Sequence, residues 1–146
     1  MAFSKLVGTF SITTANSAGT EISSETISKL SKFDWITVDA DLVGITGGTL
    51  DVYLQREIQT NVWADWAHFP QLAAAAAAIN YACNPIGTLP IVAIGLGTLA
   101  APGVALAANS CLGGHPGDKL RAIFVSGAGT SAGAAQKLYV TGWCSK

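Results

Sequence analysis

Charge is what this chain lacks most. Asp, Glu, Lys and Arg make up 12% of its 146 residues, against roughly a quarter in ordinary soluble domains. None of them falls between Trp66 and Gly117. A net charge of −1 with no basic stripe lacks the electrostatic footprint of direct nucleic-acid binding. Histidine is scarce too. His68 and His115 stand far apart, with no HxH or HExxH spacing to hold a metal. Cys83, Cys111 and Cys144 form neither a CxxC pair nor an even disulfide set, so reduced, structural thiols are expected. The opening MAFSKLVGTF has neither an apolar stretch nor a small-residue cleavage site, so no secretory leader is expected.

A charge-free run of this length must place its apolar surface in a bilayer, in the protein's own core or against a neighbouring subunit. Ile86 to Ala107 is long enough to cross a bilayer. Pro90, Pro102, Gly87, Gly95, Gly97 and Gly103 interrupt it, however, and no Lys/Arg cluster flanks it. Membrane insertion is therefore not expected. With a mean hydropathy of +0.42 and few charges to clothe a monomer, the composition points to an obligate oligomer or a piece of a larger assembly. Ile86, Ile91, Ile94, Leu96, Leu99, Val104 and Leu106 are the expected contact residues.

What is present is period-two alternation. Ile36, Val38, Ala40 and Leu42 alternate with Trp35, Thr37, Asp39 and Asp41; after GITGG, Leu50, Val52 and Leu54 alternate with Asp51, Tyr53 and Gln55. Leu120, Ala122 and Phe124 alternate with Lys119, Arg121 and Ile123; after GAGTSAGA, Leu138 and Val140 alternate with Lys137, Tyr139 and Thr141. Each couple reads as a hairpin with its apolar phase inward. Leu6, Gly8, Phe10 and Ile12 give a weaker alternation. Strands at this spacing with Gly-rich turns predict one all-β domain over residues 1–146, an antiparallel β-sandwich of which a jelly roll is one form. There is room for one short helix. Gln71 to Tyr81 holds six consecutive alanines after Pro70, which suits either a helix or crowded strand contacts.

The motifs that could carry chemistry are weak. GAGTSAGA lacks the Lys-Ser/Thr pair of a phosphate loop and precedes a strand pattern, so it reads as a connection. Asp65, Trp66 and His68 could begin a catalytic set, but an aromatic cluster with a hydrogen-bonded histidine accounts for them more simply. Asp39, Asp41 and Asp51 could meet across the first hairpin as the carboxylate pair of a glycosidase, though solvated outer positions explain them as well. Trp35, Tyr53 and Trp63 could form one sugar-stacking platform; packing against core or subunit is the plainer reading. No nucleophile, base or cofactor signature stands out, so neither an enzyme nor a cofactor protein is expected.

Two stretches, GTLDVYLQR with WADWAHFPQL and GDKLRAIFVSGAGTSAGAAQKLYVTG, resemble small virion proteins of tailed bacteriophages encoded with the capsid genes. The resemblance leaves out the alanine run and most of the charge-free middle. It implies a structural β-sandwich without catalytic residues, made in the host cytoplasm and residing in the virion. The specific expectation is a decoration or cement protein, typically trimeric, bound to the major capsid protein. Neck, tail or head-fibre proteins and carbohydrate-binding sandwiches are the alternatives.

Overall fold

A computed structural model describes residues 3–12, 20–42, 45, 47–73, 79–83, 110–111, 114–127 and 136–144. Ten strands appear in chain order: β1 (Phe3–Ile12), β2 (Thr20–Ser23), β3 (Trp35–Leu42), β4 (Thr49–Gln59), β5 (Val62–His68), β6 (Leu72–Ala73), β7 (Ile79–Cys83), β8 (Ser110–Cys111), β9 (Leu120–Ser126) and β10 (Gln136–Cys144). Helical structure among the described residues is one 3-10 turn, Leu30–Lys32. The described ends of the alanine-rich segment, Leu72–Ala73 and Ile79–Cys83, are extended; residues 74–78 lie outside the described set.

All strand pairs are antiparallel, in two sheets. One is four-stranded in the order β1-β10-β3-β7; the other runs β2-β9-β4-β5-β8, with β6 beside the start of β4. The inward phases of both sheets merge into one core. Phe10, Ile36, Val38, Leu42, Leu138 and Val140 come from the first; Leu50, Val52, Leu54, Trp66, Leu120 and Phe124 come from the second. The alternation thus identified the buried faces correctly. At about 25 cal/mol per Å² of apolar surface, these side chains supply the main driving force for closing the sandwich.

Both expected hairpins are overturned. β3 pairs with β10 and β7, whereas β4 pairs with β5, β6 and β9. Likewise β9 and β10 belong to different sheets. Alternation reports which face of a strand is buried, not which strand it hydrogen-bonds. β3 and β4, like β9 and β10, lie in different sheets, so the chain changes layer between them. The tight hairpin is β4 to β5, turning at Thr60 and Asn61, with Asn61 in the left-handed region at φ 61°. Asparagine tolerates that conformation better than most residues.

Local departures from period two also have physical causes. The β1–β10 register slips between Leu6 and Gly8, a bulge that flips the phase. Phe10 consequently enters the core at 2% exposure while Leu6 stays 55% exposed. In β10, Gly142 lies against the Phe33 ring; a Cβ there would sit 2.4 Å from Phe33 Cγ. Only glycine lets that ring close over the strand.

Candidate functional site

The outer face of the six-stranded sheet carries the densest polar cluster among the described residues. The odd residues of β4 point away from the core, bringing Tyr53 opposite His68 and Gln55 between Asp65 on β5 and Arg121 on β9. Asp65 and His68 are three residues apart, so an unbroken strand would put them on opposite faces. A register shift at Trp66 brings both outward. The extra residue, Trp66, is fully buried in the core and donates Nε1–H to the Gly114 carbonyl at 3.3 Å.

The cluster satisfies itself. Gln55 Nε2 donates to Asp65 Oδ1 at 2.9 Å, and Arg121 donates from Nε and Nη2 to Gln55 Oε1 at 2.9 and 2.7 Å. The guanidinium also lies over the Trp63 ring, 4.5 Å from its centroid, a favourable cation–π placement. His68 Nε2 is 3.2 Å from Asp51 Oδ1, whose other oxygen accepts from Gln71 Nε2 at 2.7 Å. The Tyr53 and His68 rings stack with centroids 3.9 Å apart. Gln55, Asp65, His68 and Tyr53 are each at most 7% exposed. Burial is the main cause that pushes the Tyr53 phenol up to about 12, with the Asp51 and Asp65 carboxylates adding to it. Chemically, the arrangement spends its donors and acceptors on one another. It locks three strands in register.

The rim is held by two carboxylates. Glu57 accepts from Lys119 Nζ at 2.7 Å and from the Asn61 amide at 3.0 Å, pinning the β4–β5 turn. The Lys119 bond, then the Asn61 amide, holds Glu57 below the usual carboxylate range. Asp118 accepts from Ser31 Oγ at 2.7 Å, and the Ser31 side chain followed by its amide holds Asp118 low as well.

Several residues expected together are far apart in the topology. Asp39 and Asp41 lie on the four-stranded sheet and Asp51 on the outer face of the other, so they form no carboxylate pair. The reason is the layer change between β3 and β4. For the same reason Trp35 is separated from Tyr53 and Trp63, and no common platform forms. Trp35 instead stacks with Trp143, its partner across β3 and β10, with centroids 6.4 Å apart and planes inclined by 14°. Spacing alone could not pair residues that are distant in sequence. His115 sits in a turn of positive-φ glycines, Gly114 and Gly117, and its Nδ1 accepts from the Gly117 amide at 3.0 Å. No group of three or more metal-ligating side chains occurs among the described residues. Nor does any described helix have the length and apolarity to cross a membrane.

Ile86, Ile91, Ile94, Leu96, Leu99, Val104 and Leu106 lie outside the described residues, as do residues 128–134 of GAGTSAGA. Cys144 is a free thiol, its Sγ 3.7 Å from the Lys32 carbonyl; Cys83 and Cys111 lie on β7 and β8. The chain matches no family model, no curated protein and no solved structure.

Proposed function

We propose that this chain is a structural protein of a bacteriophage virion, a decoration or cement protein that binds the head lattice and stabilises the DNA-filled shell. The observation that carries the reading is strand order. Counting β1, β2, β3, β4, β5, β7, β9 and β10 as eight, one sheet runs first, eighth, third, sixth, and the other second, seventh, fourth, fifth. That interleaving is the jelly-roll arrangement, a double-sheet architecture found in viral capsid and lectin domains. The warrant is analogy at the level of fold. The resemblance to phage virion proteins adds to it: its two stretches begin on β4 and β9, which pair directly from Leu50–Ser126 to Arg56–Leu120.

The physical role follows from composition. A chain with few charges gains little from ionic contacts and much from apolar ones, and weak apolar contacts repeated by symmetry accumulate through avidity. Its partners are the major capsid protein and copies of itself, with a trimer as the favoured unit and Ile86 to Leu106 as the contact segment. Neither nucleic acid nor a membrane is engaged, and no reaction is catalysed. Quantitative mass spectrometry of purified particles is the test. A fixed stoichiometry of hundreds of copies supports the reading, as does heat-induced DNA loss from particles lacking the protein that is reversed by adding it back. Six or twelve copies would move it to the neck or tail; absence from particles would overturn the virion reading.

A further inference from the structure

The outer face of the four-stranded sheet differs in kind from the clustered face already described. Its outward residues on β3 and β10 pair directly across the strands: Trp35 with Trp143, Thr37 with Thr141, Asp39 with Tyr139 and Asp41 with Lys137. The two indoles are nearly parallel, and their 6.4 Å centroid separation means that they are offset, not eclipsed. Stacked with this offset, they form one aromatic element in which neither ring fully covers the other. Trp143 is held in place by its Nε1–H donating to Thr37 Oγ1 at 3.0 Å. Both rings are half-buried, and Asp39, two outward pairs further along β3, is exposed.

We infer that the Trp35–Trp143 pair is a binding site for an uncharged hexopyranose glycan. A pyranose has an apolar face of C–H groups, whose hydrogens are attracted to the negative face of an aromatic ring, and a periphery of hydroxyls that must be hydrogen-bonded. Here the ring pair is bordered by the Thr37 and Thr141 hydroxyls, with Tyr139 and the Asp39 carboxylate one outward pair further along. Residues two apart on a strand are spaced by about 7 Å, so the pairs next to the rings, Thr37 with Thr141 and then Asp39 with Tyr139, flank the aromatic surface. A small number of placed polar groups around apolar contact is how ligand sites fix orientation.

The same residues argue against a second protein chain as occupant. The core of a protein interface is depleted of charged residues, yet Asp39, Asp41 and Lys137 lie on the same face as the rings. Charge selects among sugars as well. Asp39 and Asp41 outnumber Lys137, so an anionic sugar is disfavoured and a neutral one is not. Trp63, the other candidate aromatic, has its ring covered by the Arg121 guanidinium and serves as an internal control. The inference stands independently of the virion assignment, because it uses only the sheet face.

Saturation-transfer NMR and isothermal titration calorimetry of the full chain with maltohexaose, cellohexaose and mannohexaose test it, with 3′-sialyllactose as the anionic comparison. Transfer to the ring protons of at least one neutral hexasaccharide is expected. Affinity should fall at least about tenfold in Trp35→Ala and in Trp143→Ala, stay unchanged in Trp63→Ala, and weaken about threefold in Asp39→Ala, an exposed position where folding is not at risk. Circular dichroism confirms that each variant remains a β protein. No transfer to any neutral hexasaccharide would overturn the inference, and so would binding that survives the Trp35→Ala/Trp143→Ala double variant or tighter binding of the sialylated sugar. Conversion of an oligomer to monomers by that double variant, seen by light scattering, would overturn it in favour of a second copy.

Discussion

The two outer faces of this sandwich use similar residue types to opposite ends. On the six-stranded sheet, Tyr53, Gln55, Asp65 and His68 are buried, with Gln55 bonded to Asp65 and Tyr53 stacked on His68, and even the outward Ile123 is 0% exposed. On the four-stranded sheet, Thr9, Ser11, Asp39 and Lys137 are exposed, and the Trp35–Trp143 pair lies next to the Thr37–Thr141 pair. Both faces combine aromatic rings with carboxylates. What separates them is burial and connectivity: on the first face Gln55 joins Asp65 to Arg121 and Asp51 joins His68 to Gln71, while on the second Trp143 is tied to Thr37 and the charges of Asp39 and Lys137 are exposed. A buried network stabilises only when complete, so the first face should tolerate change poorly and the second well.

Matched charges give the sharpest contrast. Ile123→Asp places an unpaired carboxylate at a fully buried site and should cost about 3–5 kcal/mol. Thr9→Asp, outward on the opposite sheet, should stay within about 0.5 kcal/mol. Urea denaturation of both variants measures the difference, and equal costs would break the comparison.

Gln55→Ala should be next in size. It leaves Arg121 and Asp65 without a bridging partner inside the cluster, at a cost of about 1–3 kcal/mol. A double-mutant cycle with Arg121→Ala should be clearly non-additive.

Two pH effects follow. Burial raises the Tyr53 phenol to about 12 in the folded protein, above an ordinary value near 10. A raised pKa contributes stability fully present below the unfolded value and lost as pH rises through the folded one. Alkaline unfolding should therefore steepen above about pH 10, and Tyr53→Phe should reduce that component. Glu57 and Asp118 shift the other way, held low by Lys119 and Ser31 respectively. Their contribution is present above the ordinary carboxylate range and lost as pH falls through the folded values. Thermal melts should show a drop in Tm below about pH 4 that shrinks in Glu57→Gln. Smallest of all, Asp39→Ser should change stability by no more than about 0.5 kcal/mol.

Much of the architecture was legible in residue order. Period two in Ile36–Leu42, Leu50–Leu54, Leu120–Phe124 and Leu138–Val140 specified strands and their buried phase, because successive side chains on an extended chain point to opposite faces. The pairing of those strands was not legible. β1 joins β10 across nearly the whole chain, and β3 and β4 part into different sheets. Hydrogen-bond partners are chosen by how two sheets close over a shared core, a global condition that no local pattern contains. Bulges at Leu6/Gly8 and at Trp66 then reversed the phase where the packing of Phe10 and Trp66 required it. Side-chain identity thus determined which phase of these strands enters the shared core. Tertiary closure alone decided that Asp65 meets Gln55 and Arg121, and that Trp35 meets Trp143, because each contact joins strands whose neighbourhood exists only in the folded sandwich.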